Sequence, residues 1–165
     1  MNRTAAIMQV LVLLFWLSSA GCATAPEELE MTIAGQRFRL ELAVTPEERR
    51  KGLMGRERIA EDGGMLFAYR TPRPLHFAMP HCRTPIDLAF LDGAGRVLAA
   101  HTMAVEPPQA AGESGRAYDL RLPRYPSRAP AQFVIELRGG RLQELGVDEG
   151  DLIELPVTAL GRWAR

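Results

Sequence analysis

The sequence predicts a mainly β domain of the β-rich α+β kind, a small barrel- or sandwich-like single domain with about eight short strands and about two short helices. Three observations predict it. The chain holds 15 glycines and 12 prolines, which implies many turns and short strands rather than long helices. Several runs alternate apolar and polar residues with a period of two, the pattern of a strand with one buried face. Turn dipeptides and tripeptides separate those runs at short intervals, as in Ala34-Gly35-Gln36 and Asp92-Gly93-Ala94-Gly95.

From the N-terminus, Met1-Asn2-Arg3 gives a positive start, Ala5–Leu17 is an almost unbroken apolar core, and Ser18-Ser19-Ala20-Gly21-Cys22 ends it with small residues. A spanning helix needs about 20 apolar residues and a signal-peptide core about 7 to 15. Residues 1–21 are therefore expected to be a cleaved export signal. Ser19-Ala20-Gly21-Cys22 resembles the lipobox of bacterial lipoproteins, with Ser19 where that pattern usually has Leu. The resemblance implies lipidation at Cys22 and a membrane anchor. The rival reading is secretion with cleavage after Ala23-Thr24-Ala25, where the ring of Pro26 would hinder a peptidase. Ala23 follows the cysteine and Asp does not; by resemblance to Gram-negative lipoproteins, this implies the periplasmic face of the outer membrane. Residues 22–29 then form a linker, 30–157 the folded domain and 158–165 a C-terminal tail.

Within the domain, Glu30–Ile33 and Arg37–Ala43 read as a hairpin. Phe38, Leu40 and Leu42 alternate there with Arg37, Arg39 and Glu41. Thr45-Pro46-Glu47-Glu48 is a capping box with proline at the first helical position, and predicts a helix from Pro46 to about Met54. Met65–Tyr69 reads as a strand and Thr71-Pro72-Arg73-Pro74 as a stiff loop. Leu75–Met79 and Ile86–Leu91 bracket a loop at Pro80–Pro85, and Arg96–Met103 pairs back onto the second of them. Glu106–Arg116 is expected to be a long mobile polar loop. Ala117–Leu122 reads as a short strand and Phe133–Leu137 as a core strand. Gly139-Gly140 leads into a short helix at Leu142–Leu145, and Asp151–Leu155 is the closing strand.

Composition narrows the function. Lys plus Arg number 20 and Asp plus Glu number 20, for a formal net charge of zero. Without a basic tail, nucleic acid is not an expected partner. If Cys22 carries lipid, Cys82 has no partner in the chain and no intrachain disulfide forms. Gly-x-Ser-x-Gly, His-Glu-x-x-His and phosphate-loop motifs are absent. Ser114 and Ser127 are the only serines after the signal, both in expected loops.

An ordered set of segments carries a family resemblance. Gly52-Leu53-Met54-Gly55-Arg56, Gly64-Met65-Leu66-Phe67, Phe77-Ala78-Met79 and Pro85-Ile86-Asp87-Leu88-Ala89-Phe90 come first. Gly95-Arg96-Val97, Phe133-Val134-Ile135-Glu136-Leu137 with Gly139-Gly140, and Gly146-Val147 before Gly150-Asp151 follow. The chain resembles domain-of-unknown-function family 192, small and often exported prokaryotic proteins, over nearly all of residues 37–155. The resemblance implies a compact β-rich domain and no established activity. The chain departs from the family at one loop, which usually reads Phe-Trp-Met-Lys-Asn-Thr and here reads Phe77-Ala78-Met79-Pro80-His81-Cys82.

That loop gathers soft ligands. Met79, His81 and Cys82, with His101 and Met103 on a later strand, are the donor types that suit copper(I) or zinc. Adjacent His81 and Cys82 point to opposite faces of a strand and converge only on a loop, so ordinary packing with a buried thiol is the favoured reading. A nucleophilic Cys82 beside His81 or His101 is the reactive alternative. Asp87 shares a strand face with Ala89 and Leu91 and is expected to be buried and paired, with Arg56 and Arg83 as available cations. Glu136 stands opposite Phe133 and Ile135 on its strand and is expected to share Arg56. Asp87 and Glu136 could also serve as acid and base if they faced one cleft. Tyr118, Tyr125 and Trp163 are read as packing aromatics.

The leading reading is an exported lipoprotein that acts as a non-catalytic binding or accessory module of the cell envelope. Its partners are the membrane, through the anchor, and an envelope ligand or protein. Its ligand surface is expected at Arg70–Leu75 and Pro80–Pro85, near Glu106–Arg116, with Arg56, Met79, His81, Arg83 and Asp87 the leading residues. No cofactor is predicted on that reading. The alternatives are a copper or zinc site at Met79, His81 and Cys82, and an envelope hydrolase using Asp87 and Glu136.

Overall fold

The computed structural model describes residues 24–165. The expected signal and Cys22 lie outside the described residues. The first element is a hairpin, β1 (Glu28–Ile33) and β2 (Gln36–Ala43), paired antiparallel. Its two-residue turn places Ala34 at φ +47° and Gly35 at φ +78°. Two positive φ values give the turn the twist of the strands it joins. β1 begins inside the stretch expected to be linker.

Helix α1 (Pro46–Lys51) follows, with the capping box in place: Thr45 accepts from the N–H of Glu48, and Glu48 accepts from that of Thr45. The helix stops before the expected Met54 because Gly52 takes φ +49° and ψ −140°, a conformation that costs only glycine little. The remaining elements are β3 (Gly63–Arg73), β4 (His76–Phe77), β5 (Ile86–Leu91), β6 (Val97–Met103), α2 (Gly115–Arg121), β7 (Tyr125–Pro126), β8 (Ala131–Arg138), α3 (Arg141–Leu145) and α4 (Val157–Trp163).

Six strands form one sheet in the order β1-β2-β3-β8-β5-β6, and β4 pairs with β7 in a second, two-stranded sheet. The sheet is open, with β1 and β6 at its edges, so no barrel closes. β2 and β3 run parallel across the α1 crossover; the other pairs of the large sheet are antiparallel. Both faces of the sheet are covered. On one, Phe38, Leu66, Phe133, Ile135 and Leu137 pack under Leu142 of α3 and Leu160 of α4. On the other, Phe67, Ile86, Leu88, Phe90 and Val134 pack with Met79, and Phe77 of β4 and Tyr125 of β7 lie against them. Burial on both sides is why the central strands read as continuous apolar runs, as in Ile86–Leu91.

The structure corrects several expected elements. Ala117–Leu122 is not a strand; it falls on α2, whose start is capped by Ser114 Oγ accepting from Ala117 N–H at 3.2 Å. Leu120 is 71% exposed, so the alternation of Tyr118, Leu120 and Leu122 marks no common face. Asp151–Leu155 makes only a single bridge, Leu152 to Arg96. The expected tail is helix α4, buried at Leu160 and Ala164, and Arg165 N–H donates to Val44 O at 2.9 Å. β3 continues to Arg73, with an irregularity in its pairing to β8 between Ala68 and Arg73. Of Leu75–Met79, only His76–Phe77 is strand. Among the described residues, no helix is long and apolar enough to cross a bilayer.

Candidate functional site

Three loops and α2 converge beside the two-stranded sheet. Phe77 seats the first of them, stacking edge-on against Phe67 at 5.1 Å and Phe90 at 5.5 Å between ring centres. Met79 follows into the core, 1% exposed. The chain then reverses at His81, which takes φ +54°, a left-handed value uncommon outside glycine. Two contacts hold it there. His81 N–H donates to Tyr118 Oη at 3.0 Å, and Gly55 N–H donates to His81 O at 3.0 Å. The exposed imidazole lies against the buried Tyr118 ring, with centroids 5.0 Å apart.

Tyr118 is braced in turn. The guanidinium of Arg121 lies 4.8 Å from its ring centre. Arg121 also donates to Glu113 and to the carbonyls of Pro107 and Pro108, so the loop expected to be mobile is tied to α2. The result is an open cleft of about 370 Å³ lined by Gly55, His81, Cys82, Arg83, Val105, Glu106, Pro108 and Tyr118. Pro80–Pro85 and the segment after β6 contribute residues to its lining. Arg70–Leu75 does not line it.

The expected ion pairs are not those formed. Arg56 donates to Glu41 at 2.6 Å and Arg83 pairs with Glu57. Asp87 is fully buried and reaches neither arginine. Its Oδ1 accepts from Thr102 Oγ1 at 2.8 Å and its Oδ2 from Leu142 N–H at 2.7 Å. Two donors satisfy it, and the role is structural: it ties β5 to β6 and to the start of α3.

Glu136 is directly opposite Leu88 in the β5·β8 ladder. Leu88 lies in the cluster facing β4, whereas Ala89 and Leu91 lie in the cluster under α3. Successive side chains alternate between faces, so Asp87 and Glu136 point to opposite sides of the sheet. They share neither a cleft nor Arg56. Glu136 is buried, its Oε2 has no hydrogen-bond partner, and burial pushes its carboxyl up to about 8. Burial therefore favours its protonated form at neutral pH.

Residues 29–155 match the family model DUF192, described as an uncharacterized ACR. The chain belongs to the DUF192 family. Two solved structures are similar to it. One, from Sinorhizobium meliloti 1021, is provisionally described as a transcription regulator; it is 31% identical over 80% of this chain and 95% of that one, with a TM-score of 0.60. The other, from Novosphingobium aromaticivorans DSM 12444, is a protein of unknown function, 27% identical over 81% of this chain and 91% of that one, also with a TM-score of 0.60. No curated protein matches the chain.

In this DUF192 protein the soft-ligand loop is drawn apart rather than together. Met79 points into the core and His81 sits outside on Tyr118. Cys82 donates from Sγ to Pro80 O at 3.5 Å. Burial, with the nearby Glu136 adding to it, pushes the Cys82 thiol up to about 11, which keeps it protonated and a poor nucleophile at neutral pH. The Nε2 of His101 is taken by the carbonyl of Pro126 at 2.9 Å. Among the described residues, no group of three or more His, Cys, Asp or Glu side chains could hold a metal ion.

Sequence reasoning missed Tyr118, read as a strand residue, and the Glu113–Arg121 brace. One signal was present: Ser114 three residues before Ala117, followed by a run without proline up to Leu122, is a helix start.

Proposed function

We propose that this DUF192 protein is a non-catalytic binding module of the cell envelope, exported by its N-terminal segment and held at the membrane through Cys22. One observation carries the binding role: the cleft at Gly55, His81, Arg83, Glu106 and Tyr118 is assembled by side chain and backbone bonds that leave the His81 imidazole face and the Arg83 guanidinium outward. Its volume lies near the small end of ligand sites. An exposed ring face and an acid within one cleft, with Arg83 at the rim paired to Glu57, suit a small polar ligand or a side chain of a partner protein.

The neighbouring reactive groups argue for binding over turnover. The Cys82 thiol is held protonated, Asp87 is consumed by two donors, and Glu136 faces away from Asp87. General acid–base chemistry needs a titrating group within reach of a bound substrate, and those three do not provide a matched pair.

The test is capture of envelope components by the full chain in native membranes, with wild type beside His81→Ala and Arg83→Ala. A component lost from both variants, with thermal melting unchanged, supports the cleft. Identical capture by all three proteins rejects it. Mass spectrometry of the same material reads the anchor: an acylated Cys22 as the first residue is expected, and an intact Met1 overturns the export reading.

A further inference from the structure

The chain enters the fold beside an arginine-rich corner. Ala25 packs against the core cluster under α3 and α4, and Glu27 O accepts from Leu42 N–H at 2.9 Å. The entry is therefore at the C-terminal end of β2. β3 runs parallel to β2, with Phe67 beside Ala43, and continues past it to Arg73. Arg165 N–H meets Val44 O at the same end. Arg49 ties the corner together. Its guanidinium donates to Val44 O, Ala68 O and Arg165 O and lies 4.8 Å from the centre of the Tyr69 ring. Those contacts consume Arg49 and leave four exposed arginines at the corner: Arg70 and Arg73 on β3, Arg162 in the last turn of α4, and Arg165.

These four form no ion pair among the described residues. Tyr69–Leu75 and Val157–Arg165 contain no acid. Glu28 pairs with Arg39, and Glu48 is held by the Val44 and Thr45 N–H groups. Glu27 and Glu47 remain on the entering chain and on α1, which sets its own exposed Arg50 and Lys51 against them. The other corner of the same sheet end, beside β5 and β6, is acidic. Asp92 follows β5, and Asp148, Glu149 and Asp151 lie on the segment bonded to Val97, against Arg96 and Arg128. A chain of zero formal net charge is thus polarised across one end.

Three residues separate Cys22 from Ala25, a reach of about 10 Å at full extension. The Debye length at physiological ionic strength is about 8 Å. Acyl chains on Cys22 therefore hold the arginine corner within about one screening length of the lipid phosphates. A guanidinium pairs with phosphate through two parallel hydrogen bonds. We propose that Arg70, Arg73, Arg162 and Arg165 dock the domain on an anionic phospholipid surface and fix its tilt. This rests on the anchor at Cys22 and adds the face that lies on the membrane. The docked orientation turns the acidic β6 corner aside. It also points the His81–Tyr118 cleft outward, because that cleft sits at the far end of the strands, where Ile86 pairs with Met103.

The experiment reconstitutes the full chain, purified from membranes, in vesicles of phosphatidylcholine alone or mixed with phosphatidylglycerol. Trp16→Phe leaves Trp163, next to Arg162, as the single tryptophan. Quenching of Trp163 by a headgroup-nitroxide lipid reads how close the corner lies to the bilayer. Stronger quenching is expected in the anionic vesicles, and high salt removes the difference. Each arginine near an anionic surface shifts docking about fivefold, so Arg70→Gln with Arg73→Gln is expected to weaken it about 25-fold. Arg37→Gln with Arg58→Gln removes the same charge at the far end and is expected to change nothing. Mass spectrometry of the same sample reads the anchor separately. Acylated Cys22 with equal quenching in the two lipids, or with no effect of the Arg70 and Arg73 changes, overturns the docking face alone. Unacylated Cys22 overturns the anchor. Salt-sensitive flotation on the anionic vesicles, lost on changing Arg70 and Arg73, then still upholds the docking face, and its absence rejects it.

Discussion

Asp87 and Glu136 are two acids buried in one sheet, on neighbouring strands and nearly in register, yet they meet opposite fates. Asp87 faces α3 and β6, where a backbone N–H and a hydroxyl are aimed at its two oxygens. Glu136 faces the other side, where apolar side chains and Cys82 surround it and its Oε2 finds no donor. Burial alone does not decide what a carboxyl does; the donors on its face decide. An unsatisfied carboxyl in an apolar setting keeps its proton instead of its charge. The satisfied acid is architecture, and the unsatisfied one is the group left free to respond to pH.

The sharpest way to break this contrast is to remove the satisfied acid. Asp87→Ala strands the buried Leu142 N–H and removes the bond to the Thr102 hydroxyl, which turns to water at the exposed edge strand. One buried donor left unpaired costs on the order of 1–3 kcal/mol and a lost part-buried bond about 1 kcal/mol, so a loss of about 3 kcal/mol is expected. Asp87→Asn keeps one acceptor and is expected to lose about half as much. Urea unfolding midpoints measure both. A negligible loss in the alanine variant would mean that the strands hold α3 without the acid, and the contrast would fail on its structural side.

The second test removes the unsatisfied acid. Glutamate ionises near pH 4.5 in the unfolded chain, whereas folded Glu136 does so near 8. Between these values the folded state holds a proton that the unfolded state has released. Raising the pH through that window therefore favours unfolding, and the stability contribution is fully present below about pH 4.5 and lost as the pH passes 8. The loss is expected to be on the order of 3 kcal/mol, taking each pH unit at about 1.4 and allowing for relaxation of the site. Glu136→Gln flattens this slope and is more stable than wild type at pH 9. A parallel pH profile for the two proteins would show that the carboxyl finds a hidden donor.

Much of this contrast was legible before any coordinates. Alternation along Ile86–Leu91 placed Asp87 with Ala89 and Leu91, and alternation along Phe133–Leu137 set Glu136 against Phe133 and Ile135; both placements agree with the two core clusters. What could not be read was how the two strands' faces correspond, because that depends on pairing register rather than on either strand alone. The partners of Asp87 were misread for a related reason. Arginine announces itself in a sequence, but a backbone N–H 55 residues away carries no label. The hairpin, the capping box and the central strands were clear because their signals are local. Helix α2 was lost because a six-residue alternation is too short to separate from a helix turn, and the cap at Ser114 was the better guide. The cleft followed it into obscurity, since Tyr118 reaches His81 only from that helix.

The smallest expected effect sharpens the comparison most finely, because it divides the two donors of Asp87. Thr102→Val keeps the β-branched shape that suits strand β6 and removes only the hydroxyl bond at 2.8 Å. Thr102 sits near an edge of the sheet, so water can reach part of what the hydroxyl leaves. A loss of about 1 kcal/mol is expected, below that of Asp87→Asn. A double-mutant cycle between the two positions isolates their coupling. Strong coupling assigns the satisfaction of Asp87 to both donors together. Weak coupling assigns it to the Leu142 N–H alone, and the start of α3 then becomes the single feature that separates the quiet acid from the poised one.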